Sequence, residues 1–189
     1  CSPRNVGTKF TMEREYPKPA QGPRVLVSPS RMVVGRGAVA NVGDYAATYG
    51  DTALLVATQQ IFDIHGETVL DELEGADVET VVFTNVRSDP TVANVEAAYE
   101  LWESEGCDVV VTLGGGSSID VGKAVGVLAT NGGDIRSFGV DNAGYGGVPN
   151  PTPPLIAVNT TAGTGSEATR TIVLTDTETT TKFIIVSEN

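Results

Sequence analysis

The sequence contains 189 residues, of which 40% are hydrophobic and 19% are charged. This length and balance predict one folded domain with a sizeable core and exclude a disordered chain. The formal net charge of −12 disfavours nucleic acids and anionic membrane surfaces as partners, because both carry negative charge themselves.

The composition also indicates the cellular environment in which the protein works. A surplus of 24 acidic over 12 basic side chains is typical of proteins from a high-salt cytoplasm, where screening reduces the repulsion between like charges. Two cysteines, Cys1 and Cys107, are too few for a disulfide framework and favour a reducing compartment. No apolar run is long enough to span a membrane. We therefore expect a cytoplasmic protein, with salt adaptation as a hypothesis.

Apolar runs, punctuated by glycine and proline, predict the elements in chain order. Residues 1–23 are polar and rich in proline, which indicates a flexible lead-in before a domain over residues 24–189. The predicted β segments are Val25–Val27 and Met32–Val34, paired as an N-terminal β-hairpin, then Ala53–Ala57, Val78–Phe83, Val109–Leu113, Leu155–Val158, Thr171–Thr175 and Phe183–Val186. The predicted helices are Ala38–Tyr49, Ile61–Leu73, Thr91–Glu105 and Ile119–Thr130, followed by a long loop over 131–154 with one helical turn near Ile135–Phe138.

Strands and helices alternate through most of this order, and the strands between them are continuously apolar. Such strands are covered on both faces, so the sequence predicts an α/β fold with a mostly parallel sheet and helices on both faces. Ligands bind open sheets of this kind at the carboxyl ends of the strands. Residues that directly follow a predicted strand are therefore the first candidates for a site.

One such stretch is Gly114–Asp120, between the predicted strand Val109–Leu113 and the next helix. Glycines allow a ligand to approach the main chain, and the first amides of a helix favour a phosphate group. We expect Ser117 to cap the helix and Asp120 to complete a capping box. The stretch predicts a pyrophosphate site, with a simple glycine turn between strand and helix as the alternative.

A second stretch, Asn159–Glu167, follows the predicted strand Leu155–Val158. Its threonine hydroxyls can donate hydrogen bonds to phosphate and ribose oxygens, and its glycines permit a close approach. The alternative is a turn rich in serine and threonine. Together, the two stretches favour one cofactor cleft at the tips of neighbouring strands.

These stretches, GGGSSIDVGKA at 114–124 and PPLIAVNTTAGTGSEAT at 153–169, resemble those of the iron-containing (group III) alcohol dehydrogenases. VGRGAV at 34–39, SDPT at 88–91 and Lys182-Phe183 agree with the same family. The resemblance implies a Rossmann-like domain that holds NAD or NADP, joined in the family to a C-terminal helical domain that holds Fe²⁺ or sometimes Zn²⁺. It also implies hydride transfer between small alcohols and aldehydes or ketones.

The resemblance further implies that glycine and hydroxyl groups hold the cofactor. The residues concerned are Gly115, Gly116 and Ser117 at the pyrophosphate with Asp120 supporting their loop, Thr160, Thr161 and Thr164 along the cleft, Thr169 and Lys182 on its rim, and Asp89 near the adenosine. We assign no residue of the chain to catalysis or to a metal.

Two features depart from the family pattern. Members that prefer NAD tend to carry Asp where this chain has Thr58. Thr58 cannot accept both ribose hydroxyls and would not repel a 2′-phosphate, and no nearby arginine is a clear partner for that phosphate, so NAD and NADP both stay open. The family holds its metal with one Asp and three His, whereas this chain has one histidine, His65, for which we expect a surface or packing role.

One histidine cannot provide an iron or zinc site. We therefore expect the chain to be the cofactor-binding half of a dehydrogenase, able to bind the nucleotide but not to turn over substrate alone. A stand-alone or vestigial nucleotide-binding module without catalysis is the alternative from another class. A related branch, the polyol-phosphate dehydrogenases and dehydroquinate synthase, is disfavoured by the threonine-glycine stretch at 160–167. Because the family often forms dimers through its N-terminal strands, we also expect a homodimer.

Overall fold

A computed structural model describes residues 29–187, which form two sheets with helices around them. The main sheet has four parallel strands in the order β2-β1-β3-β4, with β1 over Thr52–Ala57, β2 over Glu79–Phe83, β3 over Val109–Gly114 and β4 over Leu155–Asn159. A second, antiparallel sheet pairs β5, Thr171–Asp176, with β6, Thr181–Val186. The predicted α/β fold with a mostly parallel sheet is confirmed.

Five helices accompany these strands within residues 29–187. They are α1 over Val42–Ala47, α2 over Gln59–Glu74, α3 over Val92–Glu105, α4 over Gly116–Asn131 and the short α5 over Val140–Ala143. Short 3₁₀ segments cover Ala38–Asn41, Ile135–Phe138 and Ser166–Ala168. Local caps fix two of the starts: Thr58 accepts a hydrogen bond from the Ile61 amide at α2, and Thr91 forms a capping box with Asn94 at α3.

The core lies on both faces of the main sheet, because successive side chains of a strand point in opposite directions. Leu54 of β1 and Val110 of β3 belong to the cluster that contains the buried side chains of α3 and α4. Leu55 and Val111 belong to the cluster under α1 and α2. All four are fully buried, which confirms the prediction of helices on both faces.

The packing of α4 against β3 positions the candidate site. A Cβ atom on Gly122 would lie 2.3 Å from Cγ2 of Thr112, so only glycine lets the helix lie this close to the strand. On its other side α4 contacts the hairpin formed by β5 and β6, whose Ile172, Leu174 and Ile185 are buried in the same cluster. Helix α4 is therefore fixed between the sheet and the hairpin.

Some predicted elements differ from the structure. Residues 1–23 and the segment Val25–Val27 lie outside the described residues. The prediction of a β segment at Met32–Val34 is wrong: these three side chains are 68%, 44% and 85% exposed, and no described strand pairs with them. The helix expected over Ala38–Tyr49 begins as a 3₁₀ turn and ends at Ala47. None of the helices within 29–187 has the length and apolar character needed to cross a membrane.

Candidate functional site

The tips of β3 and β4 lie side by side at the carboxyl edge of the main sheet. Gly114 is paired with Asn159 in the last step of their register, and the Thr160 amide donates to the Gly114 carbonyl over 2.9 Å. Residues 114–117, here called the glycine wall, and residues 159–169, the threonine wall, therefore start at neighbouring points. The two stretches that the sequence singled out are brought together.

The two walls face each other across a narrow gap. A Cβ atom on Gly115 would lie 2.8 Å from Oγ1 of Thr161, and one on Gly116 would lie 3.1 Å from Oγ of Ser166 and 3.6 Å from Cβ of Thr164. Both glycines thus allow the walls to lie this close together, because a side chain at either position would press against the threonine wall. The gap offers bare main chain on one side and hydroxyl groups on the other.

Helix α4 begins inside the glycine wall, with Gly115 as its N-cap and without a side-chain cap. Its first amides have no acceptor within the helix and carry partial positive charge, which favours an anion. The capping box predicted for Ser117 and Asp120 is wrong. Ser117 lies within the helix and its hydroxyl donates to the carbonyl of Ser88 over 2.6 Å, while Asp120 lies a turn further on and contacts β5.

A cleft of about 210 Å³ opens beside the start of α4, between the segment 88–90 and the hairpin. Five of the predicted residues line it together, namely Asp89, Gly116, Ser117, Asp120 and Lys182. Nζ of Lys182 lies 2.7 Å from Oδ1 of Asp89, and both side chains are more than half exposed. Lys182 therefore lines this cleft, where it is paired with Asp89.

Asp120 and Lys123 form a buried polar pair on the face of α4 that meets the hairpin. Oδ2 of Asp120 accepts a hydrogen bond from the Val173 amide over 3.0 Å, and its Oδ1 lies 4.0 Å from Nζ of Lys123. Burial raises the pKa of Asp120 above its ordinary value and lowers the pKa of Lys123, and the attraction between the two charges opposes both shifts. Lys123 donates to three backbone carbonyls, those of Ser166, Thr169 and Thr171.

Six predicted residues do not line this cleft. Gly115, Thr160, Thr161 and Thr164 belong to the two walls, and the other two are Thr58 and Thr169. Thr58 is the N-cap of α2 and follows β1, the neighbour of β3, so it lies at the same edge of the sheet. Thr169 borders a second, mostly apolar cavity of about 200 Å³ against α4 and β4. The sequence predicted no cofactor role for five residues at the site, although three of them stand within the quoted motifs; they are Ser88, Pro90 and Lys123, within the motifs, and Val173 and Thr175.

The residues present suit a dinucleotide and do not suit a metal. The bare main chain of Gly115 and Gly116, the helix start and the facing hydroxyls match the phosphates and ribose of a nucleotide. Within residues 29–187 no three His, Cys, Asp or Glu side chains lie together where they could hold a metal ion. The single histidine, His65, is exposed on α2.

Comparison with known proteins agrees with this geometry. The family model for iron-containing alcohol dehydrogenases matches residues 29–189. The chain is 42% identical over 157 residues to a 1,3-propanediol dehydrogenase of Citrobacter freundii, covering 81% of this chain and 40% of the relative. It is 36% identical over 162 residues to an NAD-dependent methanol dehydrogenase of Bacillus methanolicus, covering 85% and 42%.

The fold has solved counterparts as well. The structure of an archaeal halo-thermophilic alcohol dehydrogenase from a Red Sea brine pool superposes with a TM-score of 0.81 at 32% identity, covering 88% of this chain and 43% of the other. The chain therefore spans about 40% of the length of the curated relatives it matches.

Proposed function

The chain belongs to the iron-containing alcohol dehydrogenase family, and from this premise we propose that it is the NAD(P)-binding part of an oxidoreductase. The enzyme would transfer a hydride between a small alcohol, or the matching aldehyde or ketone, and a nicotinamide dinucleotide. The observation that carries the proposal is the uncapped start of α4 at Gly115 and Gly116, whose bare main chain lies against the hydroxyls of the threonine wall.

In this proposal the main chain binds the pyrophosphate. The amides of Gly116 and Ser117, at the start of α4, donate to phosphate oxygens, which the partial positive charge of the helix end favours. The hydroxyls of Thr161 and Thr164 donate from the facing wall to phosphate or ribose oxygens. Lys182 neutralises phosphate charge once it exchanges Asp89 for the ligand. The nicotinamide ring, when bound, supplies the hydride chemistry.

We propose that Thr58 leaves the choice of coenzyme open, so that NADH and NADPH bind with comparable affinity. A carboxylate at the tip of β1 would accept hydrogen bonds from both ribose hydroxyls and would repel a 2′-phosphate. Thr58 carries one neutral hydroxyl, which already accepts from the Ile61 amide. It therefore provides neither the attraction to NAD nor the repulsion of NADP.

The described residues do not form a metal site, so we propose that iron or zinc is held by a part of the intact protein outside this chain. The 189-residue chain would then bind the coenzyme without oxidising alcohols. The family resemblance further supports a cytoplasmic homodimer, and the net charge of −12 supports adaptation to salt.

Calorimetric titration of the intact protein with NADH and NADPH tests the proposal. We expect heat with both coenzymes and dissociation constants on the order of micromolar to submillimolar. Absence of heat with both would overturn the proposal. An assay of the same protein with NAD, a small alcohol and added Fe²⁺ or Zn²⁺ separates the dehydrogenase, which reduces NAD, from a nucleotide-binding module, which binds without turnover.

A further inference from the structure

Beyond its start at the tip of β4, the backbone of the threonine wall is bound by one side chain of α4. Nζ of Lys123 lies 2.5 Å from the carbonyl oxygen of Ser166, 2.8 Å from that of Thr169 and 3.1 Å from that of Thr171. An ammonium group has three N–H donors and no acceptor. The three carbonyls therefore take its whole donor capacity, and the side chain is only 17% exposed.

Apolar packing does little to hold this wall in place. No residue from Asn159 to Thr171 is buried, whereas every residue of β3 is. Apolar burial resumes only at Ile172. Beside it, Asp120, from the same turn of α4 as Lys123, accepts a hydrogen bond from the Val173 amide. Residues three apart lie on one face of a helix. Asp120 and Lys123 therefore both form hydrogen bonds with the backbone of residues 166–173.

We propose that Lys123 is a positioning residue of the coenzyme cleft, which sets the distance between the two walls through the three carbonyls and does not itself contact the coenzyme. This inference rests on the proposed function. The three oxygens converge on one point, which suits a compact ammonium group and does not suit the planar guanidinium of arginine. The arrangement, and not the positive charge alone, holds Thr161 and Thr164 opposite Gly115 and Gly116.

Two variants of the intact protein separate the arrangement from the charge. Lys123→Met keeps most of the side-chain length and removes both the positive charge and the three hydrogen bonds. Lys123→Arg keeps the positive charge and loses the convergent geometry. Asn131→Ala is the matched control, because Asn131 also donates to three oxygens, those of Val127, Thr130 and Asn150, at the opposite end of α4. Each variant is titrated with NADH, and amide hydrogen exchange over residues 160–173 is measured without coenzyme.

We expect the dissociation constant for NADH to rise about tenfold in Lys123→Met, with faster exchange in the threonine wall. Lys123→Arg, which also serves if the methionine variant does not fold, should recover only a small part of the affinity. Asn131→Ala should lower the melting temperature and leave the dissociation constant unchanged. Wild-type affinity in Lys123→Met, or full recovery in Lys123→Arg, would overturn the inference.

The experiment gives a different result if the proposed function is wrong but the inference about Lys123 is right. If the wild-type protein binds neither NADH nor NADPH, the coenzyme role is overturned whatever Lys123 does. Hydrogen exchange then still decides the inference about the wall: faster exchange in Lys123→Met supports Lys123 as its anchor for another ligand, and unchanged exchange overturns it.

Discussion

The two walls of the cleft are built by different forces. The glycine wall continues from β3, whose residues are all buried between two apolar clusters. The threonine wall contains no buried residue from 159 to 169 and is held by hydrogen bonds from Lys123. One wall is fixed by packing, which responds little to pH or salt, and the other by a few polar contacts.

This difference shows how a cleft can position a ligand accurately and still let the ligand enter and leave. Burial of apolar side chains fixes the glycine wall as a rigid template for the phosphate group that we propose it binds. A segment with few buried contacts opens at low cost in free energy, so the threonine wall can move when a ligand enters or leaves. Substitutions should therefore act in different ways on the two walls.

The largest expected effect comes from adding volume to the rigid wall with Gly115→Val. The new Cβ would lie 2.8 Å from Oγ1 of Thr161, and its methyl groups would occupy the proposed phosphate position. Because the buried strand cannot yield, we expect the dissociation constant for NADH to rise on the order of 100-fold. Isothermal titration calorimetry measures this change.

Gly132→Ala, at the other end of α4, is the control for that substitution. Gly132 has a φ of 63°, so alanine there should lower the free energy of unfolding by about 1 kcal/mol, while nothing lies within 4 Å of its new Cβ. Coenzyme binding should be unchanged. Equal affinity in Gly115→Val and the wild-type protein would show that the gap does not hold the ligand.

A smaller effect is expected from Thr161→Val on the threonine wall. The substitution preserves shape and removes one hydroxyl that we propose donates to the coenzyme. Loss of one hydrogen bond should raise the dissociation constant roughly three- to tenfold, and stability should barely change because Thr161 is exposed. Parallel titrations and thermal unfolding of both proteins check these two statements.

Thr48→Val is the matched control for the lost hydroxyl. Thr48 is also exposed and follows α1, just before β1 begins, so it lies at the opposite edge of the main sheet. Removal of the Thr48 hydroxyl should leave the dissociation constant for NADH unchanged. A dissociation constant that does not move in Thr161→Val would assign coenzyme binding to the glycine wall alone.

The sequence predicted the rigid wall better than the polar one, for a physical reason. Apolar runs such as Val109–Leu113 carry their own signal, and parallel strands bring their tips together, so the meeting of the two motifs followed from the pattern. The partners of Lys123 lie 43 to 48 residues further along the chain. They are backbone carbonyls, which no residue type marks, so the anchor of the threonine wall left no sequence signal.

Two wrong predictions have the same origin. Ser117 and Asp120 have the spacing of a capping box, yet a distant carbonyl at Ser88 and a distant amide at Val173 bind their side chains instead. Met32–Val34 has the composition of a strand, but a strand also needs a partner, and none is found among residues 29–187. Local patterns fail where the outcome depends on a remote group, either a polar atom that competes or a strand partner that is missing.

The smallest effect on binding is expected at the turn of the hairpin, where Arg136 meets Asp176. Nη2 of Arg136 lies 3.2 Å from Oδ1 of Asp176, and Nε lies 3.2 Å from Oδ2. Hydrogen bonding by this guanidinium lowers the pKa of Asp176 below its ordinary value. A carboxylate with a lowered pKa contributes stability above its unfolded pKa, and this contribution is lost as pH falls through the folded pKa.

Asp176→Asn should therefore lower the melting temperature at neutral pH, and its difference from the wild-type protein should shrink as pH falls below about 4. Glu178→Gln is the control, because its carboxylate is 80% exposed and lies 3.7 Å from the same guanidinium; it should change little at any pH. The dissociation constant for NADH should change less than about twofold in Asp176→Asn, since the Asp176 carboxylate binds Arg136, the Glu178 amide and Thr179 and does not line the cleft. If it rises as much as in Thr161→Val, the threonine wall is positioned from the turn of the hairpin, and the contrast between a packed wall and a wall held at Lys123 does not stand.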